Sequence, residues 1–402
     1  MCSFDGSTIS MLCQTVNNEL DNGTGASPLD GDGGWMDRAA SDDDRGDGRK
    51  VGETMAAATG MRIAIGQFNE MTEEKLRFAA QLGVGGVQMN TPRLPGEQRW
   101  EEADLRRLVE QVEAHGLKLE AIENVPIHFY DKAMLGLPGR DEQIEHYRAT
   151  IRNMGRAGIP ILGYHFMPNS VWRTSRTAPG RGGSHVTAFD MAQVAKAGTE
   201  GLRGFVAKRD ERVSAVAVME DEEEVVTADQ MWTNYEYFVK AVVPVAEEAG
   251  VKLALHPDDP PVESLGGVAR LFRNVEGFKR AEAITPSDAW GLDLCLGCCS
   301  EMPGGAANVA AMIEHFGPRG KILYVHFRDV QGTVPAFQEC YLGEGNYDPA
   351  TIMLLLKRNG FTGFLLDDHV PHMDDDTDWC HRGRAHAIGY MQGLLNMIEQ
   401  VA

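Results

Sequence analysis

The sequence contains no apolar segment of the roughly 20 residues that a membrane-spanning helix requires. Its N-terminus also lacks the basic start and apolar core of a secretory signal. These two absences predict a protein that does not enter a membrane and that is located in the cytoplasm.

Basic residues are scarce relative to acidic ones. Lys and Arg together number 38 against 59 Asp and Glu, which gives a net charge of -21 at pH 7. A chain with this charge repels nucleic-acid phosphates and anionic lipid headgroups, so neither is an expected partner. An anionic small-molecule substrate would need locally placed cations or a metal ion.

Cysteine is infrequent and unevenly distributed. The chain has seven cysteines, an odd number, and three of them are crowded together at Cys295, Cys298 and Cys299. A chain of 402 residues does not need disulfides to hold its core, so a disulfide framework is not expected and a reducing compartment is predicted.

The first 60 residues lack sustained apolar periodicity. They are rich in Gly, Asp, Ser and Asn and include the run Ser41-Asp42-Asp43-Asp44. This composition predicts a disordered N-terminal extension at 1–60, followed by one catalytic domain at 61–402.

From Met61 onward, short apolar segments alternate with longer amphipathic ones, a pattern typical of repeated βα units and a parallel sheet. The predicted strands are 62–68, 86–90, 118–125, 160–166, 252–256, 289–295, 322–328 and 363–368. The predicted helices are 72–82, 101–115, 141–157, 233–249, 267–274, 306–316, 349–359 and 384–401.

This alternation predicts an α/β fold, a (β/α)8 TIM barrel. A doubly wound nucleotide-binding sheet is disfavoured because no Gly-rich turn follows the first strand. Glycines at the predicted helix ends, in Ala157-Gly158, Ala249-Gly250 and Asn359-Gly360, indicate C-caps before the next strand. Such barrels commonly associate, so a homo-oligomer is also predicted.

One long insertion after the fourth strand, at 167–230, interrupts the alternation. In a barrel this connection lies at the C-terminal face, where active sites are built, so we interpret it as a lid. Arg173 and Arg176 within it are candidates for binding an anionic substrate. The alternatives are an insertion without a catalytic role or an oligomer contact, with both arginines exposed to solvent.

Residues able to bind a metal follow four consecutive predicted strands. They are His256, Cys295, His326 and Asp368, each at the C-terminal end of its strand. Because these ends meet on one face of a barrel, the pattern predicts a metal site with nitrogen, sulfur and oxygen ligands. Thiolate and imidazole favour zinc or iron, whereas the carboxylate is compatible with manganese.

The segments around these residues resemble the mannonate dehydratase family. The most specific is His-Pro-Asp-Asp-Pro-Pro at 256–261, accompanied by His-Phe-Arg at 326–328 and Asp-Asp-His at 367–369. Weaker matches are Asn-Val-Pro-Ile-His at 124–128 and Tyr-His-Phe-Met-Pro at 164–168. The resemblance extends in order from about Met61 to the C-terminus.

The resemblance implies a TIM-barrel lyase that dehydrates D-mannonate, a small sugar acid, to 2-keto-3-deoxy-D-gluconate in hexuronate catabolism and glucuronate degradation. It implies Mn²⁺ or Fe²⁺ as the cofactor, with His256, Cys295, His326 and Asp368 as its ligands. The ion would stabilise the enediolate that forms when the proton alpha to the carboxylate is removed.

Further residues are candidates for catalysis and substrate binding. His369, which matches the Asp-His pair of the family, is predicted to act as an acid or base. Arg328 is predicted to bind the substrate carboxylate, or alternatively to orient Asp368 or to neutralise an acidic loop. His165 is a further catalytic candidate and His128 a candidate for substrate binding.

The chain departs from the family at the start of its last helix. Where the family pattern has a tyrosine, in a Tyr-Ser-Ala-Ile-Gly segment, this chain has Ala-His-Ala-Ile-Gly at 385–389. His386 or Tyr390 is the predicted substitute.

Besides dehydration of a related sugar acid, two other functions remain open. Barrels of the xylose isomerase type isomerise or epimerise sugars at a metal held mainly by carboxylates, and Glu123 on the third strand is compatible with that class. A barrel that has lost catalysis and serves as a binding protein is the other, although all four predicted ligands are present.

Overall fold

The computed structural model describes residues 60–194 and 226–401. In chain order the strands of this part are β1 (Arg62–Phe68), β2 (Gly86–Asn90), β3 (Lys118–Glu123), β4 (Ile161–Tyr164), β5 (Ser175–Pro179), β6 (His185–Asp190), β7 (Lys252–Leu255), β8 (Ser264–Leu265), β9 (Val268–Ala269), β10 (Trp290–Cys295), β11 (Ile322–His326), β12 (Asp329–Thr333), β13 (Ala336–Cys340) and β14 (Phe364–Leu366). The predicted disordered extension lies outside the described residues except for its last residue, Gly60.

The helices of the same part of the chain surround the strands. They are α1 (Glu73–Gln81), α2 (Glu102–Glu113), α3 (Asp131–Leu135), α4 (Arg140–Ala157), α5 (Ala228–Ala249), α6 (Val275–Ile284), α7 (Leu296–Glu301), α8 (Ala306–Phe316), α9 (Pro349–Arg358) and α10 (His381–Val401). Within the described ranges, no helix is both long enough and apolar enough to cross a bilayer.

Eight of the described strands close into a barrel in the order β1-β14-β11-β10-β7-β4-β3-β2, and every neighbouring pair is parallel. The predicted TIM barrel is therefore confirmed. The eight predicted strands match the eight barrel strands in number and order. Three of them are shorter than predicted, because β3, β4 and β11 end at Glu123, Tyr164 and His326.

Apolar side chains fill the lower part of the barrel interior. Small residues such as Ala64 and Ala254 leave room for the rings of Tyr324 and Phe364, which stack with their centroids 5.0 Å apart. This packing closes the barrel below the C-terminal strand ends, where the polar side chains lie.

Glycines end several helices as predicted. Gly158 and Gly250 cap α4 and α5 in the left-handed conformation, with φ of 82° and 67°. Each cap is followed by a barrel strand, so the chain reverses direction at the same point of the repeating unit.

The prediction of a helix at 267–274 is wrong. Gly266 and Gly267, with φ of 56° and 77°, form the turn of a hairpin between β8 and β9. The helix of this unit, α6, begins after Asn274, whose side chain accepts a hydrogen bond from the Gly277 N–H. A two-residue glycine turn and an asparagine N-cap explain the difference.

A second, antiparallel sheet, here called the cap sheet, has the strand order β12-β13-β6-β5. Strands β5 and β6 belong to the insertion, whereas β12 and β13 form a hairpin after β11 that the apolar pattern did not predict. Phe189 pairs with Phe337 across the two halves, and both rings lie in a small apolar core. The insertion ends before the predicted residue 230, because α5 begins at Ala228 after a capping box.

Candidate active site

The four predicted metal ligands converge at the C-terminal ends of adjacent strands. Cys295 and His326 end β10 and β11 and are register partners, His256 follows β7, and Asp368 follows β14. Asp368 Oδ2 lies 3.6 Å from His326 Nδ1 and 4.0 Å from Cys295 Sγ. The His256 and His326 rings are 5.4 Å apart, and all four side chains are buried.

Two carboxylates that the strand-end pattern did not select lie beside these residues. His326 Nε2 is 3.3 Å from Glu123 Oε2 and 3.5 Å from Asp293 Oδ2, and His256 belongs to the same potential ligand group. Asp293 precedes Cys295 by two residues and therefore projects to the same face of β10, a signal that the sequence does contain.

These residues fit a divalent metal ion. Both ring nitrogens of His326 and both carboxylate oxygens of Asp293 are buried without a hydrogen-bond partner, an unfavourable state unless another group satisfies them. Burial opposes ionisation of the Cys295 thiol, yet its hydrogen bond with Cys298 and the charge of Arg328 hold its pKa well below the ordinary value. The thiolate is the form of cysteine that binds a metal.

Glu123 is held in place by side-chain amides. Its Oε2 accepts hydrogen bonds from Gln88 Nε2 at 2.7 Å and from Gln67 Nε2 at 3.2 Å. Burial would raise the pKa of Glu123, but the neighbouring His326 and His256 lower it to about 2. The group is therefore an ionised, oriented carboxylate facing the predicted metal ligands.

Arg328 lies within the wall of the site and is surrounded by acidic groups. Its Nε is 2.9 Å from Asp368 Oδ2, its Nη2 donates to Asp259 Oδ2 at 3.0 Å, and its Nη1 donates to Glu301 Oε1 at 2.9 Å. Arg173 is also buried and makes a bidentate contact with Asp259, at 2.5 and 2.8 Å. Both guanidinium groups lie behind the cavity surface rather than on it.

Above the predicted ligands is an open cavity of about 440 Å³. Its lining combines histidines, amides and carboxylates from the barrel with residues of the insertion. The lining residues are Gln67, Asn90, Thr91, Glu123, Asn124, Val125, His165, Met167, Ser170, Val171, Arg176, His256, Asp259, His326, Asp368 and His369. The volume is sufficient for a six-carbon sugar acid.

His369 lies at the cavity with one nitrogen engaged. Its Nδ1 is 2.5 Å from Glu339 Oε1, and its Nε2 is 3.6 Å from Asp368 Oδ1. Burial alone would lower the pKa of His369, but the carboxylates of Asp368 and Glu339 raise it on balance.

His165 also lines the cavity, but its Nδ1 accepts a hydrogen bond, in contrast to that of His369. Its Nδ1 accepts a hydrogen bond from the Met167 backbone N–H at 3.2 Å, so the ring proton resides on Nε2. Burial, together with the charge of His256, lowers the pKa of His165 to about 3. His165 is thus a neutral hydrogen-bond donor at neutral pH.

The remaining predicted residues differ in position. Arg176, on β5, is exposed and lines the cavity, whereas His128 is exposed beside the Phe129 ring and does not. His386 packs against Tyr341, with ring centroids 5.2 Å apart, and neither His386 nor Tyr390 is a lining residue. Among the described residues that line the cavity, none is a tyrosine, so the predicted substitutes do not restore that group.

Comparisons with known proteins identify the family of the chain. The model of the D-mannonate dehydratase (UxuA) family matches residues 61–402. A mannonate dehydratase of Streptococcus suis is 33% identical over 311 residues, covering 76% of this chain and 83% of the relative. One of Lactococcus lactis subsp. cremoris is 32% identical over 343 residues, covering 79% and 92%.

Solved structures give the same relationship. The crystal structure of mannonate dehydratase from Streptococcus suis serotype 2 has a TM-score of 0.74 and 30% identity, covering 85% of this chain and 95% of that one. An L-ribulose 3-epimerase, with a TM-score of 0.53 and 16% identity, shares the fold. With its closed barrel and these matches over most of its length, the chain belongs to the mannonate dehydratase family.

Proposed function

We propose that this protein dehydrates D-mannonate to 2-keto-3-deoxy-D-gluconate in hexuronate catabolism, with Mn²⁺ or Fe²⁺ as its cofactor. The observation that carries the proposal is the convergence of the four predicted metal ligands beneath a cavity that also exposes His369. Cys295, His326 and Asp368 form one potential ligand group, and His256 shares a second group with His326. The same four residues would hold the ion, with Glu123 and Asp293 beside them. When bound, the ion would supply positive charge to the substrate carboxylate and the enediolate.

His369 is the proposed base at C2 of the substrate. Because Glu339 accepts a hydrogen bond from Nδ1–H, the neutral ring keeps its lone pair on Nε2, the nitrogen available to take a proton. The C2 proton moves to Nε2 as the enediolate forms.

His165 is the proposed donor to the leaving 3-hydroxyl. Its proton is on Nε2, because Nδ1 already accepts the Met167 N–H. Because the ring is neutral, it donates a hydrogen bond to the leaving oxygen and keeps its own proton. The 3-hydroxyl departs as water with the proton that His369 took from C2, and the enol left behind tautomerises to the 2-keto-3-deoxy acid. The two histidines thus have opposite tautomers: Nε2 of His369 can take a proton, whereas Nε2–H of His165 can donate a hydrogen bond.

Arg176 is the proposed cation that attracts the substrate carboxylate, since it is the arginine that lines the cavity among the described residues of the insertion. For Arg173 and Arg328 we propose a positioning role instead of substrate contact, because buried carboxylates occupy both guanidinium groups. His128 is at most a peripheral contact, since it lies outside the cavity lining. The cytoplasmic location, the homo-oligomer and the single domain at 61–402 stay predictions.

One observation favours a second function. Glu123 is an ionised carboxylate that lines the cavity 3.3 Å from His326, an arrangement compatible with sugar epimerisation at a metal. The thiolate and two imidazoles of the main ligand set favour the dehydratase.

The test is turnover by the purified full chain, stripped of metal and resupplied with manganese. D-mannonate should yield the 2-keto-3-deoxy acid, detected as a product that absorbs after reaction with semicarbazide. Release of a ketose epimer from ketohexoses, without dehydration of D-mannonate, would overturn the proposal in favour of the epimerase.

A further inference from the structure

Glu339 occupies an unusual position for a residue so close to the cavity. It lies on β13 of the cap sheet, outside the barrel, and its side chain is only 4% exposed. It is not a residue of the cavity lining and cannot reach a substrate directly.

Three positively charged or titratable groups meet at a single oxygen of this side chain. Glu339 Oε1 lies 2.5 Å from His369 Nδ1, 2.9 Å from Arg173 Nη2 and 3.4 Å from Arg328 Nη1. Two buried guanidinium groups keep the side chain ionised, so His369 donates a hydrogen bond from Nδ1–H to a carboxylate.

We propose that Glu339 is the positioning residue for His369, which it orients through Nδ1 so that Nε2 performs the proton transfer at C2. The inference rests on the proposed function. The C2 proton goes to Nε2 and the Nδ1 proton stays on the ring, so the imidazolium that forms is stabilised by the Glu339 carboxylate. A carboxylate behind a catalytic histidine fixes its tautomer in this way in other enzymes.

Glu339 in turn is held by the insertion. Arg173 binds Glu339 with one nitrogen and Asp259, at the C-terminal face of the barrel, with both. The Glu339 carboxylate therefore joins two segments of the chain. Strand β13 carries it, and Arg173 of the insertion binds it. The cap sheet contributes to the geometry of the reaction besides covering the cavity.

The experiment compares Glu339→Gln with Glu339→Asp and with Glu344→Gln, all in the full chain loaded with manganese. Gln keeps the shape but loses the charge, whereas Asp keeps the charge with a shorter reach. Glu344 is a matched control, because it follows the same hairpin and pairs with Arg181 on the exposed side. The measured quantities are kcat, KM, bound metal, and the isotope effect with D-mannonate deuterated at C2.

For Glu339→Gln we expect kcat to fall about 10- to 100-fold with little change in KM or bound metal. The deuterium isotope effect should increase, because proton transfer at C2 becomes more fully rate-limiting. A change that only reduced the folded fraction would lower kcat but leave the isotope effect unchanged. Glu339→Asp should recover part of kcat, and Glu344→Gln should match the parent.

Three results would overturn the inference. They are an unchanged kcat and isotope effect in Glu339→Gln, loss of activity in proportion to lost metal, and no advantage of Asp over Gln. If Glu339→Gln does not fold, Glu339→Asp decides through its isotope effect. Failure of the parent protein to dehydrate D-mannonate would instead contradict the proposed function.

Discussion

Arg328 Nε lies 2.9 Å from Asp368 Oδ2, in an ion pair whose two side chains are only 1% and 5% exposed. The same carboxylate oxygen is 3.6 Å from His326 Nδ1. One oxygen of a predicted metal ligand is therefore fixed from behind by a buried cation. This relationship favours the alternative in which Arg328 orients Asp368 over the one in which it binds the substrate.

Replacement of Arg328 by Met should destabilise the fold. It leaves Asp259, Glu301 and Asp368 buried without their shared cation, and loss of one partner of a buried ion pair costs about 3–5 kcal/mol. The measurement is the free energy of unfolding in urea. Arg93→Met, which breaks an exposed pair with Glu70, should cost at most about 1 kcal/mol. Equal losses in the two variants would refute a structural role for Arg328.

Metal binding should depend on His256. The parent protein should retain bound manganese after gel filtration, whereas His256→Ala should retain much less and lose turnover. Manganese at 100 times its dissociation constant should stabilise the parent by about 2.7 kcal/mol but not the variant. Elemental analysis and thermal unfolding provide the two readouts. His315→Ala is the control, because His315 pairs with Glu282 on the outer face of the barrel. If His315→Ala retained as little manganese as His256→Ala, the result would argue against the site.

His369→Asn should lower kcat by about 100- to 10,000-fold while bound metal is unchanged. The reason is that the variant lacks the nitrogen that takes the C2 proton. Exchange of the C2 hydrogen with solvent deuterium, followed by NMR, measures this step apart from dehydration. His165→Asn should instead permit C2 exchange while slowing loss of the 3-hydroxyl. Exchange that persists in His369→Asn and stops in His165→Asn would reverse the two assignments.

Arg176→Ala should raise KM for D-mannonate by about 10- to 100-fold, because a hydrogen bond to a charged group contributes about 1.5–3 kcal/mol. The effect should weaken with salt, since Arg176 is exposed. Initial rates at several salt concentrations provide the measurement. Arg181→Ala, in the same insertion but outside the cavity lining, should leave KM unaltered. A normal KM in Arg176→Ala would exclude it from substrate binding.

The barrel could be predicted from the sequence because each unit repeats the same physical pattern. A short apolar strand, an amphipathic helix and a glycine cap such as Gly158 or Gly250 recur along the chain. The convergence of His256, Cys295, His326 and Asp368 follows from that repetition, since the ends of parallel strands meet on one face of a closed sheet.

The parts that could not be predicted depend on contacts between distant segments. Glu339 reaches His369 from the β12–β13 hairpin, in which it pairs with Val330, and short strands outside the barrel carry little apolar periodicity. The β8–β9 hairpin is different, because its Gly266-Gly267 turn is visible in the sequence. Arg328 is buried against carboxylates from distant segments of the chain. No local sequence pattern indicates which carboxylates an arginine will contact.

The cap sheet also bears on how the chain acquires its active form. Its two halves are separated in sequence by a large part of the barrel, since Asp190 pairs with Ala336. Closing so long a loop is entropically costly and slow relative to forming local βα units. During synthesis, β5 and β6 leave the ribosome well before their partner strand exists. We therefore expect the barrel to form first and the contact between Arg173 of the insertion and Glu339 to be among the last native contacts made, so that recovery of activity on refolding lags behind recovery of helix content.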